Sequence, residues 1–115
     1  MKYLGNAFSL QMLEDWNANV EIKEVSKRTA MANYEKSIIG HQDLATILGV
    51  ECNRVTTKLL EGDTLFVAQY VGGRLPEGSN VLPIGAEIKF LQVSVKYKRL
   101  EIISMEEARM EFNME

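Results

Sequence analysis

The stretch TLFVAQYV at residues 64–71 decides the fold, because six of its eight residues are apolar. Turn-forming pairs bound it, Gly62-Asp63 before it and Gly72-Gly73 after it. An apolar run of strand length without a polar face is typical of a strand buried on both faces. We therefore predict a central strand here, with other elements packed on both of its sides.

Weaker patterns on either side of this strand predict the remaining elements. Alternating or β-branched segments predict strands over residues 2–6, 19–25, 53–60 and 86–100. A helix is predicted from Ser9 to about Trp16, and a helix or helical turn over residues 26–38. A further helix is predicted from His41 to Gly49, where Leu44, Ile47 and Leu48 have the spacing of one buried face. The mixture predicts an α/β (α+β) fold, a single small domain with a mixed β-sheet flanked by helices.

The charge is unevenly distributed along the 115 residues. Residues 101–115 carry five glutamates and one arginine, a net charge of −4, which leaves 11 acidic and 12 basic residues in the first 100. We predict a domain at residues 1–100 and an acidic C-terminal tail or helix at residues 101–115. A nearly neutral domain is a poor binder of long nucleic acid, but a few arginines can hold a small anion.

The composition argues against several classes of protein. No apolar run approaches the ~18 residues of a membrane span, and the first residues lack a signal-peptide pattern, so we expect a cytoplasmic protein without a membrane partner. One histidine and one cysteine cannot form a zinc centre, and the GxxxxGK[ST] nucleotide motif is absent from the sequence. We therefore expect neither a metal nor another cofactor.

His41 is the single histidine and lies between Gly40 and the predicted third helix. A surface or helix-capping role is the commoner one for a lone histidine. The position also fits a second role, since a helix start presents unpaired N–H groups that suit a phosphate, and a histidine there can donate a proton to a leaving oxygen. Spacing alone leaves both interpretations open.

The segment GGRLPEGSN at residues 72–80 is typical of a functional surface loop, because four of its nine residues are glycine or proline. Its Arg74 can bind a phosphate, and its Glu77 can orient His41 or share in proton transfer. The alternative is that these two charges pair weakly with each other in solvent.

Three further polar residues are candidates for the same site. Arg54 can contact a phosphate or be one more exposed charge at a strand edge. Asn6 and Ser9 flank a strand-to-helix turn whose N–H groups can meet an anion, although helix capping alone would explain Ser9. The chemistry left open is metal-independent cleavage of a phosphodiester, which RNA permits because its 2′-hydroxyl can attack in line.

Four blocks of sequence, in order, carry a resemblance to a known family. They are YLGNAFSLQM at 3–12, IIGH at 38–41, NRV at 53–55 and QYVGGRLPEG at 69–78. Together they resemble the viral anti-CRISPR ring nuclease family, small proteins of archaeal viruses, bacteriophages and mobile elements that counter type III CRISPR immunity and have cellular homologues. The predicted strand at 88–95 fits the closing strand of that family.

The resemblance implies a homodimer with a pocket across its interface. It implies that the ligand is cyclic tetra-adenylate, the second messenger of type III CRISPR systems. It also implies metal-independent cleavage of this ring to linear di-adenylate with a 2′,3′-cyclic phosphate. A two-fold dimer would double each element of the site and enclose a ring that is too large for one chain of this size.

The resemblance also assigns roles to individual residues. By position, His41 and Glu77 match the catalytic residues of the family. Ligand-binding positions are matched by Asn6, Ser9, Arg54, Gln69 and Arg74.

Asp43 departs from the archaeal viral members, which tend to have a small hydroxyl residue there. Its carboxylate is expected to weaken phosphate binding unless it contacts a ribose hydroxyl, or else to cap the helix. Two other functions stay open beside the nuclease. One is a module that binds a cyclic nucleotide without cutting it, and the other is an interaction protein of a mobile element that acts through the acidic tail.

Overall fold

The computed structural model describes residues 1–15 and 17–96. Its five strands and two α-helices are, in chain order, β1 (Lys2–Gly5), β2 (Asn19–Val25), α1 (Lys27–Asn33), β3 (Lys36–Ser37), α2 (Gln42–Leu48), β4 (Thr64–Val71) and β5 (Glu87–Lys96). A single 3-10 turn, Leu10–Met12, follows β1. The predicted acidic tail lies outside the described residues, so the domain boundary at residue 100 stays a prediction.

The strands form one mixed sheet in the order β2-β5-β4-β1-β3. β1 pairs in parallel with β3 and β4, whereas β5 pairs antiparallel with β4 and β2. The fold is thus a single small α+β domain with a mixed sheet and helices, as predicted. Because β1, β3 and β4 run in the same direction, their carboxyl ends meet at one edge of the sheet.

The central strand predicted from TLFVAQYV is confirmed. β4 is the middle strand of the five, and residues 65–68 are buried. Phe66 and Ala68 pack with α1 and α2 on one face, and Leu65 and Val67 pack with Leu59 on the other. The sequence of β4 shows no polar alternation because each face of the strand packs against its own apolar layer.

Helix α2 has the boundaries that the sequence predicts. His41 is its N-cap, and Gly49 ends it in the left-handed conformation, with φ of +71°, that glycine adopts without a steric cost. Leu44, Ala45 and Leu48 are its buried residues. The helix thereby packs one face on the sheet, against Leu4 of β1 and Phe66 of β4.

Three predicted elements are wrong or too long. The predicted helix over 26–38 ends at Asn33, and Lys36–Ser37 instead form β3, because their backbone pairs with β1. The helix predicted from Ser9 is only the 3-10 turn, since Leu13 is extended and bridges to Leu59. Trp16 lies outside the described residues.

The predicted strand over 53–60 is also wrong. Within the described residues this segment has a single isolated bridge, between Leu59 and Leu13, and no ladder. β-branched residues favour a strand when they pack on the half-buried surface of a sheet, and these residues do not, since Val55 is 53% exposed. The segment is a crossover from α2 to β4 instead.

Candidate functional site

The site is built at the carboxyl edge of the three parallel strands, where α/β sheets commonly bind ligands. Asn6 follows β1, Gly40 and His41 follow β3, and the loop with Arg74 follows β4. Asn6 Oδ1 accepts the Gly40 N–H at 3.1 Å, which joins the ends of β1 and β3. The topology therefore gathers residues that are 68 positions apart in the chain.

Three adjoining depressions share His41. The largest, about 510 Å³, also contains Asp43, Tyr70, Arg74 and Glu77 among its lining residues. The second, about 370 Å³, adds Gln42, Arg54 and Gly78, and the third, about 160 Å³, adds Asn6, Leu44 and Ala68. We call these three depressions the His41 cleft.

The imidazole of His41 has a defined hydrogen bond. Its Nδ1 accepts the backbone N–H of Leu44 at 3.2 Å, which is an N-cap bond on α2. A neutral imidazole that accepts at Nδ1 carries its proton on Nε2. The capping role and the chemical role predicted for His41 use different ring nitrogens, but they require different protonation states, since a cationic imidazole carries a proton on Nδ1 and cannot accept the Leu44 N–H.

Arg54 is held beside this histidine by its backbone and by its side chain. Asn53 donates from its backbone N to Ile39 O at 2.8 Å and from Nδ2 to Ser37 O at 2.7 Å, which fixes the chain after α2 against β3. Arg54 Nε then donates to Gly40 O at 2.8 Å. Its two terminal nitrogens form no hydrogen bond with the part of the chain that the structure describes, so they are available to an anion.

The charges of the loop are not paired with each other. Arg74 and Glu77 are both exposed and line the largest depression with His41. Neither side chain forms a hydrogen bond or ion pair within residues 1–15 and 17–96. The alternative in which the two charges pair is therefore not what the structure shows.

Two predicted ligand-binding residues are not brought to this cleft. Ser9 is exposed at the start of the 3-10 turn, makes no side-chain cap bond, and does not line any of the three depressions. Gln69 is exposed on β4 opposite Lys89, and strand alternation points it away from Ala68 and Tyr70. Their proposed contacts with a ligand are not supported by the cleft of one chain.

Tyr70 is a lining residue that the sequence analysis missed. It is half-buried and lines two of the three depressions, together with Leu75. The period-2 alternation of β4 could have identified it, since Tyr70 is in phase with the buried Ala68 and Gln69 is not. An aromatic ring beside cationic groups is a surface on which a nucleobase can stack.

A separate cavity of about 410 Å³ lies between α2 and the segment before β5. Its lining includes Ile47, Leu48, Val81 and Leu82, with Lys27 and Glu87 also present. It holds none of the predicted site residues. The chemistry-bearing side chains converge on the His41 cleft instead.

Comparison with known proteins gives the family. The family model described as STIV B116-like matches residues 2–92. The chain belongs to this family. Its structure is similar to that of B116 of Sulfolobus turreted icosahedral virus, with 26% sequence identity and a TM-score of 0.59 over 81% of this chain and 97% of the viral one. No curated protein matches the chain.

These findings support the resemblance to small viral proteins at the level of family and fold. The ring nuclease activity that the resemblance implies is not tested by them. Within the described residues, the structure has no helix long and apolar enough to cross a membrane, and no group of three or more potential metal-ligating side chains.

Proposed function

We propose that the protein is a viral ring nuclease that cleaves cyclic tetra-adenylate to linear di-adenylate with a 2′,3′-cyclic phosphate. The reaction requires no metal and takes place in the cytoplasm of the infected cell, where it removes the second messenger of type III CRISPR immunity. The active form is a homodimer. The observation that carries the proposal is the convergence of His41, Glu77, Arg54 and Arg74 on one cleft.

The chemistry is an in-line displacement at phosphorus. The ribose 2′-hydroxyl gives its proton to water as its oxygen attacks the neighbouring phosphate, the bond from phosphorus to the 5′-oxygen breaks, and His41 Nε2 gives a proton to that leaving oxygen. The two terminal nitrogens of Arg54 and the guanidinium of Arg74 stabilise the charge on the phosphate oxygens. Asn6 holds Gly40, and thereby His41, at the edge of the sheet.

Proton donation by His41 has a structural consequence. An imidazolium carries a proton on both nitrogens, so the donating form must release the Leu44 N–H from Nδ1. The phosphates of a bound ring would favour this cation, and Glu77 is the carboxylate of the cleft that forms no hydrogen bond with the described residues and so can accept the new Nδ1–H. Glu77 therefore orients and stabilises the proton donor.

The exposure of the cleft supports a dimer. The side chains of Asn6, His41, Arg54, Arg74 and Glu77 are all exposed in the single chain. The attraction between such side chains and a phosphate is weak in water, and it becomes stronger when a second subunit excludes solvent. A two-fold axis beside the cleft would also present two equivalent scissile bonds of the ring.

The test is incubation of the purified protein with cyclic tetra-adenylate in excess EDTA. Mass spectrometry of the products is expected to show di-adenylate with a 2′,3′-cyclic phosphate. Intact ring after prolonged incubation would contradict the proposal. Size-exclusion chromatography with light scattering, with and without the ring, is expected to give the mass of a dimer.

A second candidate function is sequestration of the same ring without cleavage. The cap bond on His41 Nδ1 favours it, because this bond must break before the imidazole can carry the second proton that a proton donor needs. Tight binding by calorimetry together with unchanged ring after hours of incubation would select this function over cleavage.

A further inference from the structure

Asp43 makes a contact that connects two parts of the cleft. It lies in the first turn of α2 and is half-buried. Its Oδ2 accepts the backbone N–H of Gly78 at 3.1 Å, across 35 residues of sequence. Asp43 is therefore neither the N-cap of the helix, which is His41, nor a carboxylate turned only towards a ligand.

The loop that Asp43 contacts has few other attachments. Residues 72–86 join β4 to β5, and their internal hydrogen bonds are turns, from Ser79 N and Oγ to Pro76 O and from Ala86 N to Pro83 O. Among the described residues, the Gly78 bond is the one hydrogen bond that ties this loop to another element. A connection of this length is costly to order without such a tie.

We propose that Asp43 is a positioning residue that holds the loop so that Arg74 and Glu77 face His41. Gly78 is adjacent to Glu77 and four residues from Arg74, and all of them line the depressions around His41. The role of this contact in turnover rests on the proposed function. The contact itself, and its effect on the order of the loop, do not.

The chemistry of the side chain fits this role. A carboxylate is a stronger acceptor for a backbone N–H than a neutral hydroxyl, and its oxygen extends further from the helix than a serine Oγ. The bond to Gly78 therefore gives this carboxylate a structural role in the cleft, and it keeps its negative charge there.

Two substitutions separate the hydrogen bond from the charge. Asp43→Asn removes the charge and keeps an oxygen acceptor of the same geometry, whereas Asp43→Ala removes both. Glu24→Ala, on the exposed edge strand β2, is the matched control for the loss of one carboxylate. Solvent exchange of backbone amides, measured by NMR on the full chain without ligand, reports the contact directly.

We expect the Gly78 amide to exchange about tenfold faster in Asp43→Ala than in the parent, and within about threefold of the parent in Asp43→Asn. Glu24→Ala is expected to leave the exchange rate of the Gly78 amide unchanged. The exchange rate of the Val67 amide, in the buried strand β4, checks that each variant is folded. Equal Gly78 exchange in the parent and in Asp43→Ala would overturn the proposal.

Kinetics with cyclic tetra-adenylate give the second readout. Asp43→Ala is expected to raise KM and lower kcat, and Asp43→Asn to restore both. Parent-like kinetics in an Asp43→Ala protein whose Gly78 amide is released would overturn the positioning role. If the parent itself neither binds nor cleaves the ring, the proposed function fails, while the exchange rates still decide whether Asp43 holds the loop.

Discussion

The backbone N–H of Leu44 donates to Nδ1 of His41 at 3.2 Å, so one side chain both caps α2 and supplies the proposed proton donor. The two roles can be separated by substitution. His41→Ala is expected to lower the free energy of unfolding by about 1 kcal/mol, the usual effect of losing an N-cap. His41→Asn provides another acceptor and is expected to stay within about 0.5 kcal/mol of the parent.

Denaturant unfolding of the three proteins measures this difference. An equal loss of stability in His41→Asn and His41→Ala would show that the cap bond does not hold the start of the helix.

Arg54 is expected to contribute to ligand affinity through its terminal nitrogens. Arg54→Met removes a charge-assisted contact with phosphate, so binding of cyclic tetra-adenylate should weaken by roughly 10- to 100-fold in calorimetry. Lys58→Met is the matched control, because Lys58 also donates to a backbone carbonyl, Gln11 O at 2.8 Å, but lies outside the cleft. Similar affinity losses in the two variants would argue against a specific contact by Arg54.

Two adjacent glycines at the start of the loop should respond differently to alanine. A Cβ at Gly72 would lie 2.9 Å from the Ala86 Cβ, and its φ of +149° disfavours any other residue. Gly72→Ala is therefore expected to cost about 1–3 kcal/mol of stability. Gly73→Ala meets nothing within 4 Å and is expected to be nearly neutral. Equal Tm values for the two variants would contradict the close approach of Gly72 to Ala86.

Tyr3 gives the fold a pH dependence in the alkaline range. Burial raises the pKa of its phenol above 10.0, and the negative charge of Asp63 adds to the effect. Because the folded pKa exceeds the unfolded one, the stabilisation is fully present below pH 10 and is lost as the pH rises through the folded pKa. The free energy of unfolding should fall more steeply above pH 10 in the parent than in Tyr3→Phe. Parallel curves would contradict this assignment.

Much of the sheet could be predicted because its strands have strong local patterns. β2 has the predicted bounds, Asn19–Val25, and β4 was identified by its continuous apolar run. β3 could not be predicted in this way, since two residues carry no periodicity and their pairing with β1 depends on the folded sheet. The crossover at 53–60 has strand composition, but within the described residues its backbone forms one isolated bridge, between Leu59 and Leu13, rather than a ladder with the sheet.

The candidate site could be predicted where its residues lie in recognisable local sequence patterns. His41, Arg54, Arg74 and Glu77 were recognised from their blocks of sequence, and the parallel strands bring them together. Asp43 was interpreted as a repelling charge, a ribose contact or a helix cap, and its bond to Gly78 was missed because its partner is a backbone N–H 35 residues away that no sequence pattern indicates. Whether Ser9 and Gln69 contact a ligand depends on a second subunit and stays a prediction.

The central claim is that His41 in this cleft cleaves the ring without a metal. The most direct measurement is single-turnover cleavage of cyclic tetra-adenylate in EDTA by the parent and by His41→Asn, with protein in excess over ring. We expect the parent to convert the ring to di-adenylate with a 2′,3′-cyclic phosphate, and His41→Asn, folded and still binding the ring, to be slower by at least about 100-fold. Equal rates in the two proteins, or no cleavage by the parent, would contradict the claim.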